Sequence, residues 1–152
     1  MMLARSLFGE SAMPQVAARI NEQQERWLKD YFRTKSAGAE FILPWAVDTF
    51  FRAINGLKKR FTSGELKTIV EAYRDIRLLP EHSRLSYLLL QVANACEAEN
   101  IHVRHGVVRS SLEAKLHQLD DTQATALMIW ASAYWVSRNC SAANLDEYTK
   151  TY

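Results

Sequence analysis

The side chains best suited to chemistry are His102 and His105, which stand on either side of Arg104. Imidazole nitrogens bind divalent metals and exchange protons near neutral pH, and two at this spacing on a helix could meet at one ion. The brief alternation of residues 101–108 and the presence of Gly106 instead indicate an extended connector, and the His-Glu-x-x-His pattern of zinc proteases is absent. A metal-dependent enzyme using His102 and His105 is therefore the second alternative function, and no residue is assigned to metal binding or catalysis.

Other catalytic arrangements are not indicated by the sequence. Nucleophilic catalysis requires a nucleophile beside a base, yet neither Cys96 nor Cys140 has a histidine close by in the sequence, and no Gly-x-Ser-x-Gly elbow occurs. The five glycines are scattered, which is atypical of a phosphate-binding loop. The sequence therefore predicts no cofactor and favours a role without catalysis.

The two cysteines also bear on the cellular compartment. A pair of cysteines does not make a disulfide framework, and Cys96 lies in an apolar segment, where it is expected to act as a small core residue. Met1–Pro14 contains no continuous apolar stretch of the length found in a signal peptide. We therefore expect a reduced, cytoplasmic protein.

Basic residues are concentrated in one part of the chain, although the net charge is only +2. Residues 51–77 carry seven basic and three acidic side chains, whereas residues 120–152 carry two basic and four acidic ones. Lysine and arginine side chains that share a face can contact nucleic-acid phosphates. Binding of nucleic acid or another anionic partner by residues 58–109 is therefore the first alternative function. The residues expected to form this face are Lys58, Lys59, Arg60, Lys67, Arg74, Arg77, Arg84, Arg104, His105 and Arg109.

The chain is well supplied with aromatic residues: four tryptophans, six tyrosines and six phenylalanines. Aromatic side chains left exposed on helices are natural anchors for a protein partner. The leading hypothesis is therefore a helical interaction module, namely a subunit, adaptor or regulator that binds another protein or itself. Its candidate anchors are Trp27, Tyr31, Trp45 and Phe51, for which burial in the core is the competing interpretation.

One apolar segment, Thr122–Ser137, is expected to organise the elements that position these residues. It carries no charge between its ends, and small alanines separate its large apolar side chains. A helix that is apolar on every side is enclosed either by protein or by lipid. Because crossing a bilayer takes about 18 apolar residues or more, this shorter segment predicts a central protein helix and no membrane association.

Two helices are predicted ahead of this centre. The first is expected to start at Ser11 and Pro14 and to end at Ser36-Ala37-Gly38. The second is expected to start near Pro44 and to end at the cations Lys58-Lys59-Arg60, which suit the negative end of a helix dipole.

Three capping boxes predict helix starts farther along the chain. In this motif, a polar side chain at the N-cap and a Glu or Gln side chain three residues later each accept a hydrogen bond from the other's backbone amide. The helix that follows the box at Thr62 and Glu65 is expected to turn five apolar residues inward, at positions 66, 69, 70, 73 and 76. The three boxes are Thr62 with Glu65, Ser110 with Glu113, and Asp120 with Gln123.

Taken together, these patterns predict an all-α protein. We expect one compact bundle of about six helices around two buried central helices, near Arg84–Glu99 and Asp121–Ser137. Residues 1–152 are predicted to form a single domain. Residues 1–10 and 141–152 are expected as loose termini, with a short final helix as the alternative for the second of these segments.

Overall fold

The computed structural model describes residues 19–75, 84–136 and 142–150 of the chain. Within these ranges every regular element is a helix and no strand occurs, which confirms the predicted all-α class. The described residues contain eight helices rather than about six, partly because the short segments 101–104 and 142–148 are helical. In chain order they are α1 (Glu22–Tyr31), α2 (Lys35–Lys58), α3 (Ser63–Ala72), α4 (Leu85–Glu99), α5 (Ile101–Arg104), α6 (Arg109–His117), α7 (Asp121–Val136) and α8 (Ala142–Tyr148).

Contacts between residues divide the chain into two units, Met1–Pro44 and Trp45–Tyr152. The described part of the first unit contains α1 and the beginning of α2. The second unit contains the remainder of α2 and the other six helices. The single domain expected over residues 1–152 stays a prediction.

In the first unit, α1 begins at a capping box that was not among the three predicted from the sequence. The Asn21 side chain accepts a hydrogen bond of 2.8 Å from the backbone amide of Gln24, and the Gln24 side chain accepts one of 2.9 Å from the backbone amide of Asn21. The helix start predicted at Ser11 and Pro14 lies outside the described residues.

The helix boundaries predicted at Ser36-Ala37-Gly38 and Pro44 are wrong, because α2 runs through both positions. Gly38 is buried, and a Cβ added to it would lie 2.8 Å from the Phe32 ring and 2.9 Å from a methyl group of Leu28. Glycine thus permits close packing here rather than ending the helix. Pro44 removes one backbone donor from α2 without terminating it.

In the second unit, α3 begins at the first predicted capping box. The Thr62 hydroxyl accepts a hydrogen bond of 3.1 Å from the amide of Glu65, and the Glu65 carboxylate accepts one of 2.8 Å from the amide of Thr62. Four of the five residues predicted to face inward are fully buried, and the fifth, Ile76, lies outside the described residues. The four are Leu66, Ile69, Val70 and Tyr73.

The core lies among α3, α4 and α7, which pack against one another. α7 is buried along most of its length and contributes Leu127 and Met128, both completely enclosed. α4 buries mainly one side, which includes Leu88 and Val92, and leaves Leu90 exposed. Both predicted central helices therefore contribute to the core, and α3 joins them because its inner side is equally apolar.

The extended connector predicted over residues 101–108 is wrong, because Ile101–Arg104 forms the one-turn helix α5. Asn100 ends α4 and adopts a left-handed conformation with φ of 53°. The side chain of Ile101 is then buried. Burial of this side chain outweighs the weak alternation that suggested extended backbone.

The second predicted capping box is also wrong, whereas the third is confirmed. Val108 is the N-cap of α6, and no side chain caps that helix. Glu113 instead accepts a hydrogen bond of 3.0 Å from Arg109, one helical turn earlier. At α7, the reciprocal bonds between Asp120 and Gln123 measure 2.8 and 3.1 Å.

At the C-terminus the structure has the short helix that the sequence left as an alternative. Leu145 is buried in the core, and Thr149, just after the end of α8, is also buried. Across the described residues, no helix combines the length and the apolar content needed to cross a bilayer.

Candidate interaction surfaces

Three apolar side chains on the part of α2 in the second unit are exposed to solvent. Trp45 is 68% exposed, Phe51 is 60% exposed and Val47 is 45% exposed. Single exposed apolar residues are normal, but several on one helix are typical of a protein-interaction surface. Two of them, Trp45 and Phe51, are among the predicted partner anchors.

The helical repeat places these side chains around one side of α2. With about 3.6 residues per turn, Trp45 lies on one edge of that side, and Val47 and Phe51 lie on the other. Asp48 and Arg52 lie between the edges and form an ion pair of 2.8 Å. We call these five residues the α2 face. It combines apolar edges with a central charged pair that has no net charge.

The first unit has an aromatic cluster of its own. The rings of Trp27 and Tyr31 lie 5.0 Å apart, centroid to centroid, and Phe32 lies 5.8 Å from Phe41. Trp27, Tyr31 and Phe41 are all exposed. The four predicted anchors therefore lie at the surface rather than in the core, two of them in each unit.

Several of the predicted anion-binding residues contact carboxylates of the chain itself. Arg104 donates a hydrogen bond to Glu71, and His105 Nε2 lies 3.3 Å from the other oxygen of the same carboxylate. Arg109 Nε lies 3.0 Å from Glu113, and its guanidinium lies 3.5 Å from Glu97. A phosphate would have to compete with these carboxylates.

The other residues predicted to bind an anionic partner lie in different surroundings. Lys59, Arg60 and Arg84 are exposed, and Arg84 is the N-cap residue of α4. The guanidinium of Arg74 lies 5.6 Å from the centre of the Trp135 ring, at cation–π distance. Arg77 lies outside the described residues. Lys58 and Lys67 both contact the C-terminal segment.

The structure does not place His102 and His105 in a metal-binding arrangement. His102 lies on α5, and its buried Nδ1 atom has no hydrogen-bond partner. His105 ends the same helix and faces Glu71 at ion-pair distance, but the two atoms are not aligned for a hydrogen bond. Among the described residues, no three side chains of histidine, cysteine, aspartate or glutamate gather closely enough to hold a metal ion.

A second contact region lies where α8 meets α2, α3 and α7. The Tyr148 ring stacks on Trp130 at 5.0 Å with an interplanar angle of 13°, and its hydroxyl donates a hydrogen bond to the Trp130 carbonyl. Lys58 Nζ donates a hydrogen bond of 3.2 Å to the Tyr148 carbonyl, and Lys67 forms an ion pair with Asp146. We call Lys58, Lys67 and Trp130 the α8 seat.

Burial in this region shifts the pKa values of two groups. Lys58 is buried, and the loss of solvation lowers the pKa of its amine because burial disfavours the charged form. For the same reason, burial raises the pKa of Tyr148 from 10.0 to about 12. This region was not predicted from the sequence; the signal that could have found it is the opposite charge of two segments, since residues 51–77 have a basic excess and residues 120–152 an acidic excess.

Comparison of the chain with protein-family models, curated protein sequences and solved structures gave no match.

Proposed function

We propose that this chain is a non-enzymatic helical interaction protein whose α2 face binds a second copy of the chain. The observation that carries the proposal is the exposure of Trp45, Val47 and Phe51 on one side of one helix. Burying such side chains against a partner removes apolar area from water at about 25 cal/mol per Å². Tryptophan is also enriched among the residues that contribute most to binding.

The charges on the α2 face favour a second copy as the partner. A two-fold axis near the middle of the face would set two α2 helices antiparallel. Asp48 of one copy would then lie near Arg52 of the other, twice, without a like-charge contact. The face is therefore complementary to itself in both charge and hydrophobicity.

The first experiment measures self-association by analytical ultracentrifugation across a range of protein concentrations. We expect the full chain to dimerise, and we expect Trp45→Ala with Phe51→Ala to weaken the dimer at least about 10-fold, or ~1.4 kcal/mol. Leu90→Ala is the matched control because Leu90 is an exposed apolar residue on α4. A wild-type chain that stays monomeric at about 100 μM, where weak dimers are populated, contradicts the proposal.

A charge-exchange experiment tests the orientation of the two copies. Asp48→Arg places two arginines on one copy, and Arg52→Asp places two aspartates on the other. Each variant alone should dimerise more weakly because like charges meet, whereas an equal mixture should form a heterodimer. A mixture that associates no better than either variant alone rules out the antiparallel arrangement.

Nucleic-acid binding is the less favoured alternative because Lys67, Arg104 and Arg109 each contact a carboxylate of the chain. A gel-shift titration at low salt tests nucleic-acid binding.

A cytoplasmic location is likewise part of the proposal. It is supported by the buried free thiol of Cys96, and cell fractionation would test it.

A further inference from the structure

We propose that Gly56 is the position on the second copy that receives the Trp45 ring, so that each copy supplies one tryptophan and one glycine to the dimer. The contact rests on the proposed self-association through the α2 face and names the residue that decides which helices can pair with it. Gly56 lies within α2, is exposed, and belongs to the same unit as Trp45.

Among the described residues, Gly56 differs from the other glycines. Glycine is the poorest helix former apart from proline, so a glycine inside a helix calls for a packing or conformational reason. Gly38 and Gly64 lie against neighbouring atoms, and Gly106 has a φ of 67°. A Cβ added to Gly56 would instead meet nothing within 4 Å in the described part of the chain. Because bare backbone allows another group to approach closely, Gly56 is suited to contact with a second molecule.

The proposed two-fold axis sets Gly56 of one copy opposite Trp45 of the other. Trp45 lies three residues before Asp48, and Asn55 lies three residues after Arg52, so Trp45 of one copy is level with Asn55 of the other. A helical side chain leans by about one residue towards the N-terminus of its own helix. In an antiparallel partner that direction runs towards the C-terminus, which moves the Trp45 ring from Asn55 to Gly56.

The two residues also lie on the same edge of α2. At about 100° per residue, Trp45 and Gly56 are separated by only about 20° around the helix. A two-fold axis perpendicular to the plane of the two helices keeps this edge on the same side in both copies. The Trp45 ring of each copy therefore meets the Gly56 backbone of the other, and the contact forms twice.

This arrangement accounts for the exposure of Trp45 in the single chain. The side chain is 68% exposed, and a tryptophan that fills a depression near the centre of an interface typically contributes much of the binding energy. A larger residue at position 56 would hold the two helices apart. The pair therefore selects a partner helix that carries a small residue at the position of Gly56, as a second copy does.

The first test is Gly56→Gln in the full chain, measured by analytical ultracentrifugation. Glutamine favours helix but occupies the space meant for Trp45, so we expect the dimer to weaken at least about 10-fold. Ala46→Gln is the matched control because Ala46 is exposed on the side of α2 away from the α2 face, and it should leave the dimer unchanged. Urea denaturation at low protein concentration, where the chain is monomeric, should show Gly56→Gln to be at least as stable as the wild-type chain.

An exchange of the two residues between copies tests the pairing itself. Trp45→Ala leaves two empty depressions in its own dimer, and Gly56→Trp brings tryptophans into collision in its own dimer. In a mixed dimer, one contact is reversed and the other is native, because each variant keeps the residue that the other has changed. We expect an equal mixture to associate at least about 10-fold more tightly than either variant alone.

The outcomes separate this contact from the dimer as a whole. A wild-type chain that stays monomeric refutes the dimer and the contact together. A wild-type dimer that tolerates Gly56→Gln as well as it tolerates Ala46→Gln leaves the dimer standing and overturns the placement of Trp45 on Gly56. A mixture that associates no more tightly than either variant alone overturns it as well.

Discussion

Gly64 of α3 lies directly against the backbone carbonyl of His105. A Cβ added to Gly64 would lie far inside van der Waals contact with that oxygen and 3.2 Å from a methyl group of Val107. The close approach of α3 to the end of α5 therefore depends on the absence of a side chain at position 64. Because the obstacle is backbone rather than a flexible side chain, it cannot move aside alone.

We expect Gly64→Ala to lower the free energy of unfolding by about 2 kcal/mol. The cost of overpacking, about 1–3 kcal/mol, should exceed the gain in helix propensity. Gly56→Ala is the matched control because Gly56 also lies within a helix, α2, and a Cβ added there would meet nothing within 4 Å. That change should stabilise the chain by about 0.5–1 kcal/mol. Urea denaturation measures both, and a stabilising Gly64→Ala would contradict the packing described.

Glu65 combines two roles at one buried carboxylate. It caps α3 by accepting from the Thr62 amide, and it pairs with Lys115 Nζ at 2.6 Å while almost completely buried. We expect Glu65→Ala to cost about 3 kcal/mol, because a cap is lost and a lysine loses its buried partner. Gln123→Ala removes the equivalent capping residue of α7 and should cost about 1 kcal/mol. Chemical denaturation measures both variants, and equal losses of unfolding free energy would show that the Glu65–Lys115 ion pair contributes nothing to stability.

Phe51 and Phe61 offer a comparison between an exposed and a buried phenylalanine ten residues apart. Phe61 is 6% exposed and belongs to the core, whereas Phe51 lies on the α2 face. We expect Phe61→Ala to cost about 3 kcal/mol and Phe51→Ala less than about 0.5 kcal/mol. Thermal unfolding at low protein concentration keeps self-association out of the comparison. A large loss at Phe51 would mean that this side chain is buried in the monomer.

The pKa of Tyr148 predicts a loss of stability at alkaline pH. Its pKa is raised from 10.0 to about 12, so above pH 10 the unfolded chain loses the phenolic proton more readily than the folded chain. The folded state then binds more protons than the unfolded state, and stability falls as the pH rises from about 10 to 12. Tyr148→Phe should reduce that fall while keeping the stack on Trp130. Thermal melts between pH 9 and pH 12 measure how steeply stability falls with pH. An equally steep fall in the Tyr148→Phe variant would contradict the attribution of this loss to Tyr148.

Helix starts were predictable where the signal is local. Thr62 with Glu65 and Asp120 with Gln123 form the reciprocal bonds that their spacing predicts. Such a motif depends on four consecutive residues and hardly on the rest of the fold. Ser110 with Glu113 has the same spacing but fails because Arg109 engages the carboxylate. A local motif therefore predicts a cap only when no stronger partner lies within reach.

The interaction surfaces were less predictable from sequence. The sequence does not distinguish exposed aromatic residues from buried ones: Trp45 is exposed, whereas Tyr134 is buried. Which of them is buried depends on the helices that pack around it, and those come from distant parts of the chain. The α8 seat joins Lys58 to Tyr148 across 90 positions, a separation that no local pattern spans.

The sequence alone determined the all-α class, the apolar helix at the centre and two of the capping boxes, because helix periodicity and caps are properties of neighbouring residues. Only the tertiary structure decided that Gly38 and Pro44 lie inside a continuous helix, that Arg104 and His105 face Glu71, and that α8 lies on a basic seat. These outcomes depend on contacts between residues far apart in the chain, whose energies outweigh the modest local preferences of single residues.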